Sequence, residues 1–175
     1  DKILYICYDN EAYMNTGIQG SSSTPLFAST TTTPTGKKTS RKDLMQIAIA
    51  HDIPYAATAS IHNIADLKNK VQKAMDTDGP SLIHIHTPCP TGWRYDPSKT
   101  IELARAAVQT GCWILYEYED GKVKINYKPK DLAPIESYIG LQGRFKGLSK
   151  EQREELQKYT IEYYDKYIKK LLFMA

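Results

Sequence analysis

Residues 5–19 read YICYDNEAYMNTGIQ, and the change of character within this stretch decides the fold. An apolar run, residues 3–8, breaks off at Asp9 and Asn10 and gives way to small polar residues and a glycine. A short run of β-forming residues that is bounded by turn residues predicts a strand. The end of this strand therefore gathers oxygen-bearing side chains at one edge of a sheet.

Strand and helix patterns alternate along the chain that follows. After a long segment rich in Thr, Ser, Gly and Pro, the apolar spacing and the turn residues predict strands at residues 55–60 and 81–87, and helices at residues 42–51, 64–75 and 97–110. The last of these helices has Asp96 as its N-cap. This alternation predicts an α/β fold, a parallel sheet with helices on both faces.

The C-terminal third has a different pattern. Residues 113–118 and 123–127 flank Asp120-Gly121 and predict a β-hairpin. Ser149 and Gln152 form a capping box that begins a long helix ending near residue 172. The helix has an apolar stripe, consisting of Leu156, Tyr163, Tyr167 and Leu171. We expect residues 1–128 to form an α/β domain and residues 129–175 a tail, which packs on its own sheet or on a partner subunit.

Composition limits the classes of function. The apolar fraction of 41% and the charged fraction of 25% are those of a soluble globular protein. A net charge of +3 is too small to indicate nucleic acid, and the basic cluster at Lys37, Lys38, Arg41 and Lys42 is interpreted as solvated. With no membrane-spanning run and no signal-peptide pattern, we expect a cytoplasmic protein. The start at Asp1, directly before a strand, indicates a piece of a longer polypeptide.

Cysteines and histidines give little indication of a self-contained metal site. Cys7, Cys89 and Cys112 are widely spaced and form no C-x-x-C pair, so neither a disulfide framework nor a zinc site is indicated. Cys7 and Cys112 are predicted to be buried packing residues. His84 and His86 alternate with isoleucine on one strand, and two histidines without a third ligand are expected to be hydrogen-bonded structural residues.

The oxygen donors after the first strand suit a hard cation. In open α/β sheets, ligands bind beyond the carboxyl ends of the strands. Mg²⁺ prefers octahedral oxygen coordination and commonly shares its ligands with a substrate phosphate. An asparagine amide and a loop carbonyl are neutral ligands, which fit a site where a diphosphate already supplies the negative charge. On spacing alone, however, an Asp-Asn pair after a strand is more often only a turn.

Longer stretches carry a resemblance. YDNEAYMNTGIQ, STP and TTTTPTGKK, and then RKDLMQIAIAHDIPYAATAS, GPSLIHIHTPCPTGW and IESYIGLQGRF, cover nearly the whole chain. Together they resemble the C-terminal part of the thiamin-diphosphate-binding β subunit of the pyruvate:ferredoxin oxidoreductase (pyruvate synthase) family. The resemblance implies a partial thiamin-diphosphate-binding fold in residues 1–128.

The resemblance also implies roles for single residues. The side chain of Asn10 and the backbone carbonyl of Ala12 would be ligands of Mg²⁺. Asn15 would be a catalytic residue that also binds the cofactor, close to its reacting end and to the 2-oxoacid. Thr16 and Gly17 would line the diphosphate side of the thiamin diphosphate site.

Two features of the family are incomplete in this sequence. It contains no Gly-Asp-Gly, so the aspartate that the family uses as a further metal ligand would lie upstream. Cys89 matches the last of four cysteine ligands to a [4Fe–4S] cluster, and the other three would also lie upstream. Four cysteines are usual for such a cluster, so Cys89 is expected to be a ligand in the complete subunit and a thiol in this chain alone.

The implied activity is the oxidative decarboxylation of pyruvate to acetyl-coenzyme A and CO₂, with electrons passed to ferredoxin. The implied partners are a pyrimidine-domain α subunit, γ and ferredoxin-like δ subunits, ferredoxin, pyruvate and coenzyme A, with no nucleic acid and no membrane. The chain alone is expected to be inactive. Three alternatives stay open at this point: an oxidoreductase for a branched-chain or aryl 2-oxoacid, a non-oxidative thiamin enzyme, and a non-catalytic binding or assembly module.

Overall fold

The computed structural model describes residues 1–174 and contains one five-stranded sheet. Its strands are β1 (Ile3–Asp9), β2 (Tyr55–Ser60), β3 (Pro80–His86), β4 (Leu115–Glu119) and β5 (Lys122–Tyr127). The spatial order is β1-β3-β2-β4-β5, with β1, β3 and β2 parallel. The α/β fold and the strands are thereby confirmed. The predicted hairpin extends the same sheet in the antiparallel sense, so the sheet is mixed rather than wholly parallel.

Within residues 1–174, six helices connect or follow the strands. They are α1 (Leu44–Ile49), α2 (Ile64–Asp76), α3 (Pro90–Trp93), α4 (Thr100–Gln109), α5 (Glu136–Ile139) and α6 (Lys150–Phe173), with 3₁₀ turns at Pro97–Lys99 and Gly143–Phe145. No helix within residues 1–174 has both the length and the apolar character needed to cross a membrane.

Two helix starts differ from the prediction because of local capping. Helix α1 begins at residue 44 because the side chain of Asp43 accepts a hydrogen bond from the Gln46 backbone. The side chain of Asp96 caps a 3₁₀ turn by accepting from Ser98, and α4 starts only at Thr100. Asp96 is therefore a cap as predicted, but of the turn that leads into the helix.

The two faces of the sheet are covered by different helices. Alternate residues of the parallel strands point to opposite faces: Ala56 and Leu82 pack in one core cluster, and Ala57 and Ile83 in the other. The first cluster includes residues of α6, and the second includes Ala74 of α2. A third apolar cluster lies beyond the strand ends and contains Trp93, Leu103, Trp113, Tyr138 and Phe145.

Helix α6 packs on the sheet of its own chain. The predicted capping box is present, since Gln152 N donates to the Ser149 hydroxyl at 3.3 Å and Gln152 Oε1 accepts from Ser149 N at 3.0 Å. The buried stripe consists of Leu156, Thr160, Tyr164, Ile168 and Leu171. Tyr163 and Tyr167 were expected in this stripe, but they lie beside it, half-buried and stacked on each other.

Candidate functional site

The loops after β1 and β3 leave the sheet side by side. The two strands are parallel neighbours with Asp9 opposite His86, and Thr87 N donates to the Asp9 carbonyl at 2.9 Å. Asn10 and Cys89, which the sequence places after these strands, therefore lie at the same edge of the sheet. This edge is the carboxyl end of the parallel strands, where α/β folds bind ligands.

The two loops also contact each other directly. The indole Nε1 of Trp93 donates to the Asn10 carbonyl at 2.8 Å. A side chain at Gly92 would collide with the Met14 sulfur and would lie 3.6 Å from the Cys89 sulfur. Glycine at residue 92 therefore allows the first loop to rest on the turn that begins at Cys89.

Side chains 9–12 alternate between the protein interior and its surface. Asp9 and Glu11 are buried, with 6% and 2% exposure, whereas Asn10 and Ala12 are half-buried. Among residues 1–174 no backbone N–H donates to the Ala12 carbonyl. The Asn10 Oδ1 has only a long contact of 3.4 Å with Ala12 N. The two neutral oxygens expected to bind Mg²⁺ are thus available, and the two acids point inward.

Asp9 holds the start of this loop. Its Oδ1 accepts from Glu11 N at 2.9 Å, and its Oδ2 lies 2.8 Å from His84 Nε2. Burial raises the pKa of Asp9, but hydrogen bonds from His84 and Ser23 outweigh burial and hold this pKa well below its usual range. The expectation that His84 is a hydrogen-bonded structural residue is confirmed.

Glu11 is the centre of a buried charge cluster. Its carboxylate contacts Arg144 Nη2 at 2.5 Å and Arg41 Nη1 at 3.3 Å. His86 lies beside this cluster and contacts the Tyr138 hydroxyl at 3.2 Å. Burial, assisted by Arg41, lowers the pKa of His86 to about 3, so its imidazole is neutral. The negative charge of Glu11 is therefore balanced by the guanidinium groups of Arg41 and Arg144, and His86 contributes no positive charge.

The basic cluster at residues 37–42 is only partly solvated, contrary to the prediction. Arg41 pairs with Glu11 and also donates to the Cys112 carbonyl at 2.7 Å. Lys37 donates to the carbonyls of Ser21 and Thr24 at 3.1 and 2.7 Å. Arg41 thus ties this segment to the domain, and Lys37 closes the Thr- and Ser-rich loop on itself.

The other predicted cofactor residues occupy the exposed tip of the first loop. Asn15, Thr16 and Gly17 are exposed, and backbone hydrogen bonds between Tyr13 and Gln19 close the loop behind them. The Thr16 hydroxyl and Gln19 Oε1 lie 2.5 Å apart, and Gly17 adopts a φ of 115° that favours glycine. The roles of these three residues stay predictions.

Cys89 is half-buried and precedes the one-turn helix α3. Residues 1–174 contain no group of three or more His, Cys, Asp or Glu side chains that could hold a metal ion. The side chains present therefore do not form an iron–sulfur site by themselves. They do fit a thiamin diphosphate–Mg²⁺ site, because the half-buried Asn10 and Ala12 offer a neutral amide oxygen and a neutral carbonyl at the strand end, without a strong partner in the part of the chain that the structure describes.

Sequence reasoning missed the residues that support this loop, namely Glu11, Arg41, Trp93 and Arg144. Glu11 and Arg144 are separated by 133 positions, and no local pattern relates them. No local pattern indicates that Glu11 is buried either, since β1 ends at Asp9 and the backbone at Glu11 is left-handed rather than extended.

The chain is similar in sequence to several known proteins. The family model "Thiamine pyrophosphate enzyme, C-terminal TPP binding domain" matches residues 1–85. "Pyruvate synthase subunit PorB" of Methanothermobacter thermautotrophicus is 54% identical over 163 residues, which are 90% of this chain and 57% of that protein. "Ketoisovalerate oxidoreductase subunit VorB" of Pyrococcus abyssi is also 54% identical, over 96% of this chain and 56% of that protein.

A solved structure is similar in fold. The 2-oxoglutarate:ferredoxin oxidoreductase from Magnetococcus marinus, with 2-oxoglutarate, coenzyme A and succinyl-CoA bound, matches with a TM-score of 0.50 and 20% identity, over 89% of this chain and 58% of that chain. The chain spans a little more than half the length of these relatives. The resemblance seen in the sequence is confirmed: over nine-tenths of its length this chain is related to the thiamin-diphosphate-binding β subunits of 2-oxoacid:ferredoxin oxidoreductases.

Proposed function

We propose that this chain is part of the β subunit of a 2-oxoacid:ferredoxin oxidoreductase and that it binds thiamin diphosphate through Mg²⁺. The observation that carries the proposal is that the half-buried Asn10 and Ala12, beside the buried acids Asp9 and Glu11 at the carboxyl end of β1, keep a neutral amide oxygen and a neutral carbonyl without a strong hydrogen-bond partner among residues 1–174. A diphosphate with its metal brings its own negative charge, and neutral oxygens complete such a coordination sphere without adding repulsion.

Each residue of the loop has a defined task in this proposal. Thiamin diphosphate, when bound, supplies a thiazolium carbon that adds to a 2-oxoacid and accepts the electrons left by decarboxylation. Asn10 and Ala12 hold the metal, and Thr16 and Gly17 line the diphosphate. Asn15, on the exposed tip, hydrogen-bonds the 2-oxoacid. A rigid loop keeps these groups in one orientation, which lowers the entropic cost of reaching the reactive geometry.

Pyruvate is the substrate we propose, with acetyl-coenzyme A and CO₂ as products. Relatives named for pyruvate and for ketoisovalerate are equally similar to this chain, so a branched-chain 2-oxoacid is the second candidate. The substrate is tested by comparing kcat/KM for pyruvate, 3-methyl-2-oxobutanoate and 2-oxoglutarate in the full complex. A preference for pyruvate supports the proposal, and a preference for either of the others overturns this part of it.

The surrounding complex is also part of the proposal. It comprises a pyrimidine-domain α subunit, γ and ferredoxin-like δ subunits, and ferredoxin as electron acceptor in the cytoplasm. Because Cys89 lies at the same edge as Asn10, a [4Fe–4S] cluster completed by three cysteines of the longer subunit would sit close to the site of decarboxylation.

The metal role of Asn10 is tested in the full-length subunit assembled with its partners. Asn10→Ala removes the amide oxygen. The loss of a residue that only supports a metal ligand weakens metal binding by roughly 10- to 100-fold, so the loss of a ligand itself should weaken the binding of thiamin diphosphate at fixed Mg²⁺ by at least that factor. The measurement is calorimetric titration. Asn69→Ala, an exposed asparagine on α2, is the control and should bind normally. Equal affinity of the Asn10 variant and the parent would exclude the metal role and favour a non-catalytic module.

The cluster role of Cys89 is tested separately. Cys89→Ser in the full complex should weaken the paramagnetic signal of one reduced cluster, because a hydroxyl is a poorer iron ligand than a thiolate. Cys7→Ser, at a half-buried cysteine of β1, is the matched control. Unchanged spectra in the Cys89 variant would remove this residue from the ligand set and reopen the non-oxidative alternative.

A further inference from the structure

We infer that Glu11 and Arg144 are positioning residues, a buried ion pair that fixes the loop geometry on which Asn10 and Ala12 depend. The inference rests on the proposed function, because it concerns the same metal-binding oxygens. It adds that the segment around Arg144, in the predicted C-terminal tail, is a working part of the cofactor site.

The backbone at Glu11 needs an external constraint. Glu11 has φ 64°, in the left-handed region that residues other than glycine rarely adopt. It lies between the two predicted metal ligands, so its dihedral angles set the direction of the Asn10 side chain relative to the Ala12 carbonyl. A left-handed residue persists only where its surroundings over-determine it.

Those surroundings engage every polar group of Glu11. Its N–H donates to Asp9 Oδ1 at 2.9 Å, and its carbonyl accepts from the Thr24 hydroxyl at 2.6 Å. Its carboxylate is shared by Arg144 at 2.5 Å and Arg41 at 3.3 Å. The side chain is 2% exposed, so water cannot substitute for a lost partner.

Arg144 reaches the loop by a second route. Its guanidinium lies 3.8 Å from the centre of the Trp93 ring, and the Trp93 indole donates to the Asn10 carbonyl at 2.8 Å. Arg144, Trp93, Asn10 and Glu11 therefore form a closed ring of contacts. Displacement of Arg144 would loosen the loop on both sides of the left-handed residue.

Arg144 is itself firmly held. It is 3% exposed, and its Nε donates to Gln142 Oε1 at 2.7 Å. Its carbonyl accepts from Ser29 N at 3.0 Å and from the Ser29 hydroxyl at 2.9 Å. Hydrogen bonds thus fix Arg144 between the C-terminal segment and the Thr-rich loop. A residue that is itself fixed can orient another residue.

A merely structural ion pair would behave differently from a positioning one. Loss of a structural pair lowers stability and leaves the affinity of the folded protein for its cofactor unchanged. Loss of a positioning pair weakens cofactor binding by the folded protein, beyond any loss of stability. Outer-shell partners of metal ligands typically change metal affinity by about 10- to 100-fold when removed.

The test uses the full-length subunit assembled with its partners and measures the Kd of thiamin diphosphate at fixed Mg²⁺ together with kcat at saturating cofactor. Glu11→Gln removes the charge and keeps the shape, and Arg144→Lys keeps the charge and loses the planar geometry. Both should raise the Kd by about 10- to 100-fold, and kcat at saturating cofactor shows how far the same displacement extends to Asn15. If Glu11→Gln does not assemble, Arg144→Lys carries the same test.

The matched control is Glu117→Gln, a buried acid of β4 whose partners are far from the loop in sequence and structure. It should lower stability and leave the Kd unchanged. An unchanged Kd in Arg144→Lys, or an equal rise in Glu117→Gln, overturns the inference. If the parent binds no thiamin diphosphate, or Asn10→Ala binds normally, the proposed function fails instead, so the two failures are distinguishable.

Discussion

Two buried glutamates, Glu11 and Glu117, are stabilised in contrasting ways. Glu117 lies within the regular strand β4 and accepts from the Tyr55 hydroxyl, from Lys73 and from Asn126 at 2.8, 2.8 and 2.5 Å. Its cationic partner Lys73 is 41% exposed. Glu11 lies in an irregular loop, and its closer partner Arg144 is 3% exposed.

The contrast explains what each charge does. Burial raises the pKa of Glu117, but hydrogen bonds from Lys73, Asn126 and Tyr55 outweigh burial and lower it to about 2. The side chain of Glu117 lies on a strand whose backbone is already fixed by the hydrogen bonds of the sheet. For Glu11, burial raises the pKa while Arg144 and Arg41 oppose that effect. Here the ion pair fixes a loop backbone that lies outside regular secondary structure. Loss of the pair should therefore change the geometry of the neighbouring Asn10 and Ala12.

The largest difference is expected in stability. Glu11→Ala leaves two guanidinium groups without their acid in the interior, and breaking a buried pair in this way costs about 3–5 kcal/mol of unfolding free energy. Urea unfolding of the full-length subunit measures this loss. A loss below about 1 kcal/mol, the value for exposed pairs, would contradict the account of Glu11 as a buried anchor.

Glu117→Ala is expected to have a smaller effect on stability. The Tyr55 hydroxyl loses its acceptor, and one unsatisfied buried polar group costs about 1–3 kcal/mol. Lys73 can turn to water because it is partly exposed. The same urea experiment compares the two alanine variants. A loss equal to or greater than that of Glu11→Ala would remove the distinction between the two sites.

Acid should weaken the Glu11 region through His86. The pKa of His86 in the folded protein, about 3, lies below the ordinary histidine pKa of about 6.5, so between these values the unfolded chain binds a proton that the folded chain does not. Stability therefore falls as the pH falls, by at most about 1.4 kcal/mol per pH unit. The urea midpoint between pH 6.5 and 5 measures this slope. His86→Gln should flatten it, and His51→Gln, at an exposed histidine, should not.

The smallest effect is expected at the exposed end of the Glu117 network. Lys73→Gln removes an ion pair whose lysine is 41% exposed, and such pairs contribute about 0–1 kcal/mol. The urea midpoint of the variant should therefore be close to that of the parent, and added salt should not change the midpoint of the variant. A loss comparable to that of Glu117→Ala would show that the network depends on the ion pair rather than on the buried hydrogen bonds.

The sequence predicted the elements whose signals are local. The strand before Asp9, the hairpin at Asp120-Gly121 and the capping box at Ser149 each depend on neighbouring residues, and all three are present. The one-turn helices α3 and α5 were not predicted, because four residues are too few to establish a 3.6-residue period.

Part of the candidate site was equally predictable, and part was not. Parallel pairing of β1 and β3 brings Asn10 and Cys89 to one edge, as their positions after two strands indicated. The pairing of Glu11 with Arg144 required the tertiary fold, since it joins the first loop to a turn 133 residues later. Arg41 was misread as solvated because a run of basic residues does not reveal which member points inward.

The most direct test of the central claim is a structure of the full complex with thiamin diphosphate and Mg²⁺ bound. The account predicts that Asn10 Oδ1 and the Ala12 carbonyl both lie within about 2.0–2.1 Å of the ion. It also predicts that Glu11 is still buried against Arg144 with its left-handed backbone. A structure in which Asn10 and Ala12 face away from the ion would contradict the claim.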